Sequence, residues 1–444
     1  MPVSRGRKSK PKSKSKAKKN KAAPRRPSAV DVMPGDLVFD AGPSPLGRLT
    51  SLVEPDRPAW FDVSIKIVLD QASVVMTAQG PRQLEQATAE LLGAELHRAI
   101  RDERRGLWFY WFFEELAEAA ADRILDEAAL QDDSWQAKQR FLYGLASIGS
   151  PGLRSLAEKA LARVRKGLPA DAQTRQPEWL RLLPKITAIG EVWEMHDVYG
   201  TRFGVIAGFC YPGGTDPSVF LFDIDACEFV RLVNAGVFDD MEQAAAAWRE
   251  FVGEAAANAQ PSPVEMTDRL YCLAHLELEE ELLDGSEPRA VMDNWFRANR
   301  RHIDLADVLH RRGIPLPEAK SLYHDLDTAQ MVEQFAAWHL REHGSTPDPE
   351  VAEVLAEIWL EGALPGTRHA ASPHRARSRL DQLNEDFVDD PVITGAKVLL
   401  PEWVRWHGEE SSLPKNFIDR SVAVASGEHR PSADGAAETD PPAG

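Results

Sequence analysis

Residues 191–238 read EVWEMHDVYG TRFGVIAGFC YPGGTDPSVF LFDIDACEFV RLVNAGVF. Short runs rich in Val, Ile, Phe and Trp alternate there with clusters of Gly, Pro and Asp. β-branched and aromatic side chains suit a pleated surface, and Gly, Pro and Asp suit tight turns. Four antiparallel strands are therefore predicted, within Glu191–Gly200, Arg202–Pro212, Val219–Cys227 and Glu228–Phe238. A helix over Met241–Val252 follows, with Asp239 or Asp240 placed to cap it. Together they make a small antiparallel α+β domain over 177–258.

On either side of this segment the hydrophobic period is helical. Leu84, Ala87, Leu91, Leu92, Leu96 and Ile100 recur at three-four spacing after Pro81, which marks one helix face. Residues 107–125, LWFYWFFEELAEAAADRIL, begin apolar on every side, as a helix buried between neighbours does. Helices near Ser134–Ser147 and Pro151–Lys166 complete a bundle of about five over 56–168, the last with Pro151 in its first turn and Ser150 as its cap. Gln260–Pro263 reads as a linker. Residues 264–425 are again helical, broken at Gly285–Pro288, Gly313–Pro317, Gly344–Pro349 and Gly362–Pro373. Trp338, Trp359, Trp403 and Trp406 fall on faces otherwise made of Leu and Val, and so are expected to anchor helix packing. The fold class expected is mainly α: an N-terminal helical bundle, a small central antiparallel α+β unit and a C-terminal helical region.

The chain has 444 residues, 43% hydrophobic and 27% charged, which excludes a collagen and a wholly disordered chain. Its longest run of large apolar residues, Leu107–Phe113, falls far short of the roughly 20 residues of a membrane-spanning helix, so no membrane span is expected. No apolar stretch follows the basic start, so a secretory signal is not expected either. Cys210, Cys227 and Cys272 are too few and scattered for a disulfide framework, and the default compartment is cytoplasmic.

Charge is the strongest functional signal. Residues 1–28 carry Arg5, Arg7, Lys8, Lys10, Lys12, Lys14, Lys16, Lys18, Lys19, Lys21, Arg25 and Arg26, and no Asp or Glu. Setting these twelve apart from the 52 Lys and Arg leaves 40 against 69 Asp and Glu, so residues 29–444 carry −29. The segment lacks anything to bury and reads as a disordered basic tail. Residues 29–55 read as a linker, and 427–444 as a disordered acidic tail. Twelve cations can neutralise phosphates of DNA or RNA and release counterions, without discriminating sequence. The tail has no aromatic residue on which bases could stack.

Three weaker leads carry chemistry. His339-Leu340-Arg341-Glu342-His343 resembles the HxxEH pattern of the inverzincin metallopeptidases. On a helix the two histidines share a face and can share zinc, with Glu342 as the catalytic general base. Zinc needs a third protein ligand, for which Glu350, Glu353 and Glu357 are near in sequence. Against this, Gly344 and Pro347 end the helix at the second histidine. Asp223 and Asp225 lie two apart in a strand, hence on one face, where a carboxylate pair can hold Mg²⁺. They resemble the start of a haloacid-dehalogenase motif, but a second strand returns at once where that family has a loop and helix, and the pair is expected on a solvated face. Gly213-Gly214 reads as a turn, because no helix follows it.

Two helical stretches around Gly313-Ile314-Pro315 have helix-turn-helix spacing. The second, Pro317–Leu326, has Lys320 as its one Lys or Arg, too few for a phosphate-facing helix. Eight histidines between 275 and 374 (His275, His302, His310, His324, His339, His343, His369 and His374) are scattered among helices and give no ligand geometry.

No Ser-His-Asp, Cys-His, Rossmann or P-loop signature is visible. The leading expectation is a non-enzymatic adapter that needs no cofactor. Its lysine-rich tail would associate with nucleic acid while the acidic body contacts a protein partner. The alternative is a zinc-dependent hydrolase using His339, Glu342 and His343.

Overall fold

The computed structural model describes residues 59–100, 109–169, 176–181, 183, 186–227, 230–264, 273, 276, 289–314, 328–386 and 390–428. All of them fall within Val38–Gly444. The expected basic tail at 1–28, the linker at 29–55 and the acidic tail from residue 429 onward lie outside the described residues. So does the expected second helix at Pro317–Leu326.

The fold is mainly α, with a small antiparallel sheet in the middle. The N-terminal bundle comprises α1 (Ala59–Gln71), α2 (Pro81–Ile100), α3 (Phe109–Ala129), α4 (Trp135–Ile148) and α5 (Pro151–Gly167). Pro81 opens α2, and its Leu84, Leu91, Leu92 and Leu96 are buried as their spacing required. The apolar start of α3 is likewise sunk among neighbours: Phe112 meets Phe61 of α1 edge-to-face at 6.0 Å and Phe113 meets Phe296 at 5.3 Å. Pro151 begins α5, but Ser150 makes no side-chain cap bond; its carbonyl accepts the Arg154 N–H at 2.8 Å instead.

The sheet is built from β1 (Thr187–His196), β2 (Arg202–Tyr211), β3 (Thr215–Asp225), β4 (Arg231–Phe238) and β5 (Ser262–Pro263), in the order β4-β3-β2-β1-β5. Four strands were expected; the fifth comes from the stretch read as a linker, where Ser262 and Pro263 pair with Glu194 and Trp193. Between β4 and β5 lies α6 (Met241–Val252), capped by the Asp240 carboxylate, which accepts the Gln243 N–H at 2.9 Å.

Both faces of the sheet are covered, which is why its strands are apolar on both sides. Phe203, Val205, Phe209 and Tyr211 of β2, with Phe220, Phe222 and Ile224 of β3, point into one core shared with the bundle. Ile206, Val219 and Leu221 point the other way, onto Trp248 of α6. Helix α7 (Arg289–Arg311) lies in the first core and packs on α2, β4 and β1.

A charged network crosses this core. Arg301 of α7 is 2% exposed, and its Nη2 meets Glu85 Oε2 of α2 at 2.5 Å. Its Nη1 lies 3.2 Å from Asp304 Oδ2, whose other oxygen takes Arg300 at 2.6 Å. The second Glu85 oxygen accepts the Ser147 hydroxyl of α4, and the Arg301 guanidinium lies 5.4 Å from the Phe209 ring centre on β2.

A second core belongs to α8 (Thr328–His343), α9 (Pro349–Leu360), α10 (Pro373–Asp386), α11 (Pro391–Glu410) and α12 (Lys415–Ala425). Asp348 and Asp390 cap α9 and α11, each followed by proline at the first position. Trp338, Trp359, Trp403 and Trp406 are all buried here. They pack between helices, with Phe335 of α8 at 4.7 Å from Trp403 of α11. Among the described residues no helix is long and apolar enough to cross a membrane.

The pairings nearest the two sides of the sheet are irregular. On β4, Val233 is an extra residue between Leu232 and Asn234, which face consecutive residues of β3. The Asn234 side chain accepts the Ala235 N–H at 2.8 Å. On β1 the register shifts between Ala188 and Val192, and Arg312 donates to the Ile189 carbonyl at 2.7 Å.

One close helix crossing sets a sharp test. A Cβ on Gly93 of α2 would lie 2.5 Å from the Asp293 Cα and 2.7 Å from its nitrogen, on α7. Because backbone cannot rotate away, Gly93→Ala must part the two helices. It is expected to cost about 1–3 kcal/mol, read as a lowered urea midpoint with unchanged slope. Wild-type stability in this variant would refute the close approach.

Candidate functional site

A buried polar cluster lies where the ends of β2 and β3 meet the start of α10. Asp223 and Asp225 are not solvated as expected: they are 1% and 8% exposed. The face they share is covered by α6. Arg202 grips Asp223 with both arms, Nε to Oδ1 at 2.9 Å and Nη2 to Oδ2 at 2.8 Å. Trp248 Nε1 donates to Asp223 Oδ1 at 2.9 Å. Gly204 pairs with Asp223 across the ladder, and a Cβ there would sit 3.0 Å from the Trp248 ring, so glycine admits the indole.

The β1–β2 turn supplies a third carboxylate. Asp197 Oδ1 accepts the N–H groups of Thr201 at 2.9 Å and Arg202 at 3.1 Å, and Gly200 takes φ +71° inside the turn. Asp225 Oδ1 accepts the Cys227 N–H at 2.8 Å, and its other oxygen lies 3.5 Å from Arg231. Cys227 Sγ in turn lies 3.2 Å from Ser372 Oγ, the hydroxyl that accepts the Arg375 N–H of α10.

Burial dominates the electrostatics. It pushes Asp197 up to about 6, against the two turn N–H groups that favour its charge. Burial also raises Asp223, with Arg202 and Trp248 opposing. Burial works against the Arg202 charge, but Asp223, Asp225 and Asp197 hold its pKa above the ordinary value. The Cys227 thiol is pushed well up by burial and by Asp225. Such a thiol stays protonated at neutral pH and is no activated nucleophile. Asp223 has both oxygens engaged, so a cation would have to displace Arg202. What this arrangement does is clasp the sheet to α10.

Asp197, Arg202 and Trp248 were not singled out from the sequence. One signal was present: Asp197 and Arg202 bracket a glycine turn between two apolar runs, and a hairpin brings such residues together.

The HxxEH residues stand apart, at the end of α8. His339 and His343 have ring centres 4.5 Å apart. His339 Nδ1 lies 2.7 Å from the Ser345 carbonyl, and His343 Nε2 lies 3.2 Å from Glu402 Oε2 of α11. Glu342 is exposed and faces Arg341 at 3.3 Å. Gly344 ends the helix at φ +73°. The sequence-near candidates Glu350, Glu353 and Glu357 belong to α9, and the carboxylate that meets the pair is Glu402. Among the described residues no group of three or more His, Cys, Asp or Glu has the geometry to hold a metal ion.

The other histidines are less scattered than the sequence suggested. His369 Nδ1 lies 3.0 Å from Nδ1 of His407, a buried residue beyond the cluster noted in the sequence. His302 is pushed below the ordinary imidazole range by burial. His275 and His324 lie outside the described residues, as do Cys272 and the cationic residues from Arg5 to Arg26. Cys210 and Cys227 are free thiols. Gly213 and Gly214 form a single tight turn leading straight into β3. A surface groove of 440 Å³ runs between α2 and β4, lined by Gln83, Gln86 and Glu90 on one side and Val237 and Asp239 on the other.

Compared with known proteins, the chain matches no family model, no curated protein and no solved structure.

Asp197 gives a signed pH dependence. Its folded pKa, about 6, lies above its unfolded value near 3.8. The folded state therefore binds the extra proton, and stability falls as pH rises from about 4 to 6. In Asp197→Asn the amide oxygen still accepts both N–H groups and carries no charge. The variant should gain on wild type by about 2–3 kcal/mol between pH 4 and pH 7, measured by urea unfolding at both values. A difference that does not change with pH would show that Asp197 is not the titrating group.

Proposed function

We propose that the chain is a cytoplasmic, non-enzymatic adapter: its lysine-rich N-terminal segment associates with DNA or RNA irrespective of sequence, and its acidic remainder engages a protein partner. The observation that carries this reading is the split of charge. Twelve cationic residues and no acidic one occupy residues 1–28, against a net −29 over residues 29–444. An acidic surface repels polyanions, so attraction concentrates in the one segment of opposite sign. The segment has cations for phosphates and nothing with which to read base edges.

The interior lends this reading support of a different kind. The paired carboxylates at Asp223 and Asp225 are engaged by Arg202, Trp248 and a backbone N–H. The buried Glu85–Arg301 pair is likewise held within the core. These are groups spent on holding elements together, which suits a body that presents a surface.

Fluorescence anisotropy with labelled duplex DNA and with RNA tests the proposal, comparing the full chain with one that starts at Ser28. Full-length protein should bind with log K falling against log salt by about 0.9 per phosphate neutralised on duplex DNA. The shortened chain should lose both the binding and the slope. Equal binding and equal salt dependence in the two chains would sink the reading.

A further inference from the structure

The tryptophan core of α8–α12 contains an imidazole pair that can accept one proton but not two. His407 of α11 is fully buried, and its ring stacks on Trp359 of α9 with centres 4.8 Å apart and planes 6° from parallel. Trp403 and Trp406 close on it at 5.2 and 4.3 Å. Its Nδ1 lies 3.0 Å from Nδ1 of His369, a half-buried residue in the loop between α9 and α10. Its Nε2 has no hydrogen-bond partner among the described residues.

The proton count follows from that geometry. Two nitrogens 3.0 Å apart share one hydrogen. In the neutral pair one ring donates and the other offers its lone pair. A single added proton is tolerable: His369 becomes the cationic donor, and His407 accepts at Nδ1 while carrying its own hydrogen on Nε2. A second added proton puts hydrogen on both facing nitrogens and leaves no acceptor, so the contact must open.

The surroundings oppose charge on the pair. Arg375 of α10 lies over Trp359 at 4.6 Å and donates to the carbonyls of Thr367, Ala370 and Trp359, so a cation is already held against the ring on which His407 stacks. Arg368, beside His369, adds to the repulsion, and Glu410 of α11 is the charged neighbour that opposes it. α9 presents Trp359 and α12 presents Ile418 beside Gly408, neither of them charged. α8 reaches the cluster through Phe335, at 5.4 Å from Trp406.

We propose that His369 and His407 form an acid-sensitive latch, closed near neutral pH by one shared hydrogen and forced open by double protonation, which releases the packing of the tryptophan-rich α9–α12 core. Burial pushes His407 well below the ordinary imidazole range, and burial, Arg368 and Arg375 lower His369. Unfolded histidines gain protons through about pH 6.5. The latch therefore stabilises the fold above that pH and stops doing so as pH falls below it. Each proton taken up only on opening lowers the closed-to-open ratio about tenfold per pH unit; once His369 holds the first proton in the closed pair, the second is the one taken up on opening.

The test is urea unfolding of the full chain between pH 7.5 and 4.5, followed by tryptophan emission and near-ultraviolet circular dichroism. Wild type is compared with His407→Phe and His369→Asn. His302 and His374 titrate in all three proteins and provide a common background. Wild type should lose stability more steeply below about pH 6 than either variant, with tryptophan emission shifting in the same interval. His407→Phe keeps the ring stack, so its curve should flatten by the contribution of the pair. Should that variant fail to fold, imidazole ¹⁵N shifts of the wild-type protein decide. His407 should stay neutral while His369 takes the first proton, and should titrate only together with the tryptophan change. An unaltered pH profile in both variants overturns the proposal. So does a His407 that titrates near pH 6.5, the ordinary value, without any tryptophan response.

Discussion

A guanidinium buried beneath the sheet is the constraint on which most of the architecture depends. Placing Arg301 at 2% exposure costs several kcal/mol unless its charge is met there. Glu85 meets it from α2, Asp304 meets it from its own helix, and the Phe209 ring lies against it from β2. Glu85 can serve only because Ser147 of α4 satisfies its other oxygen. Bundle, sheet and α7 are thus brought to one point, and any of them shifted by an ångström would leave a buried charge unmatched. Hydrophobic burial supplies most of the driving force around this point, but burial alone is tolerant of sliding. The ion network is not, and it explains why α7 crosses α2 closely enough that Gly93 has no room for a side chain.

From that point the sheet distributes order outward. One face looks into the large core shared with the bundle, and the other lies on Trp248 of α6. The C-terminal helices are reached by a different route, through the turn between β1 and β2. Tyr199 in that turn is buried in the second core and meets Phe417 of α12 edge-to-face at 5.5 Å. The Cys227–Ser372 contact and the 2.6 Å pair between Arg420 and Glu254 lie along the same seam. Clustering Asp197, Arg202, Asp223 and Asp225 at this seam places charge where two hydrophobic cores come together without merging.

Much of the fold was legible because local signals agreed with one another. The face Leu84–Leu96, the Asp240 cap and the shift of period at Glu191 each pointed to the element that is present. What escaped were features decided by partners distant in sequence. Ser262-Pro263 has no strand pattern of its own and pairs because β1 offers an edge. Asp223 and Asp225 looked solvated because a short hairpin usually has one wet face. The signal against that was the apolar content on both faces of VFLF, which requires a second cover and so a helix such as α6. The His369–His407 contact joins a loop residue to a helix residue 38 positions on, and no spacing rule reaches it. The charge split alone is plain in the sequence, because it needs no partner to be seen.

The rims of the sheet bear on how the protein behaves when crowded. A flat strand at the edge of a sheet is a template on which a second chain can add its own strand, the route into amyloid and precipitation. Here β4 carries an extra residue at Val233, and Asn234 turns its side chain onto the following N–H. On the opposite side β1 departs from regular pairing between Ala188 and Val192, where Arg312 takes up the Ile189 carbonyl. Beyond it the edge strand β5 is only Ser262–Pro263, so neither side offers the even ladder that a growing fibril copies. A body with an apolar sheet between two helical layers can therefore be held at high local density while its strands remain poor seeds for one another.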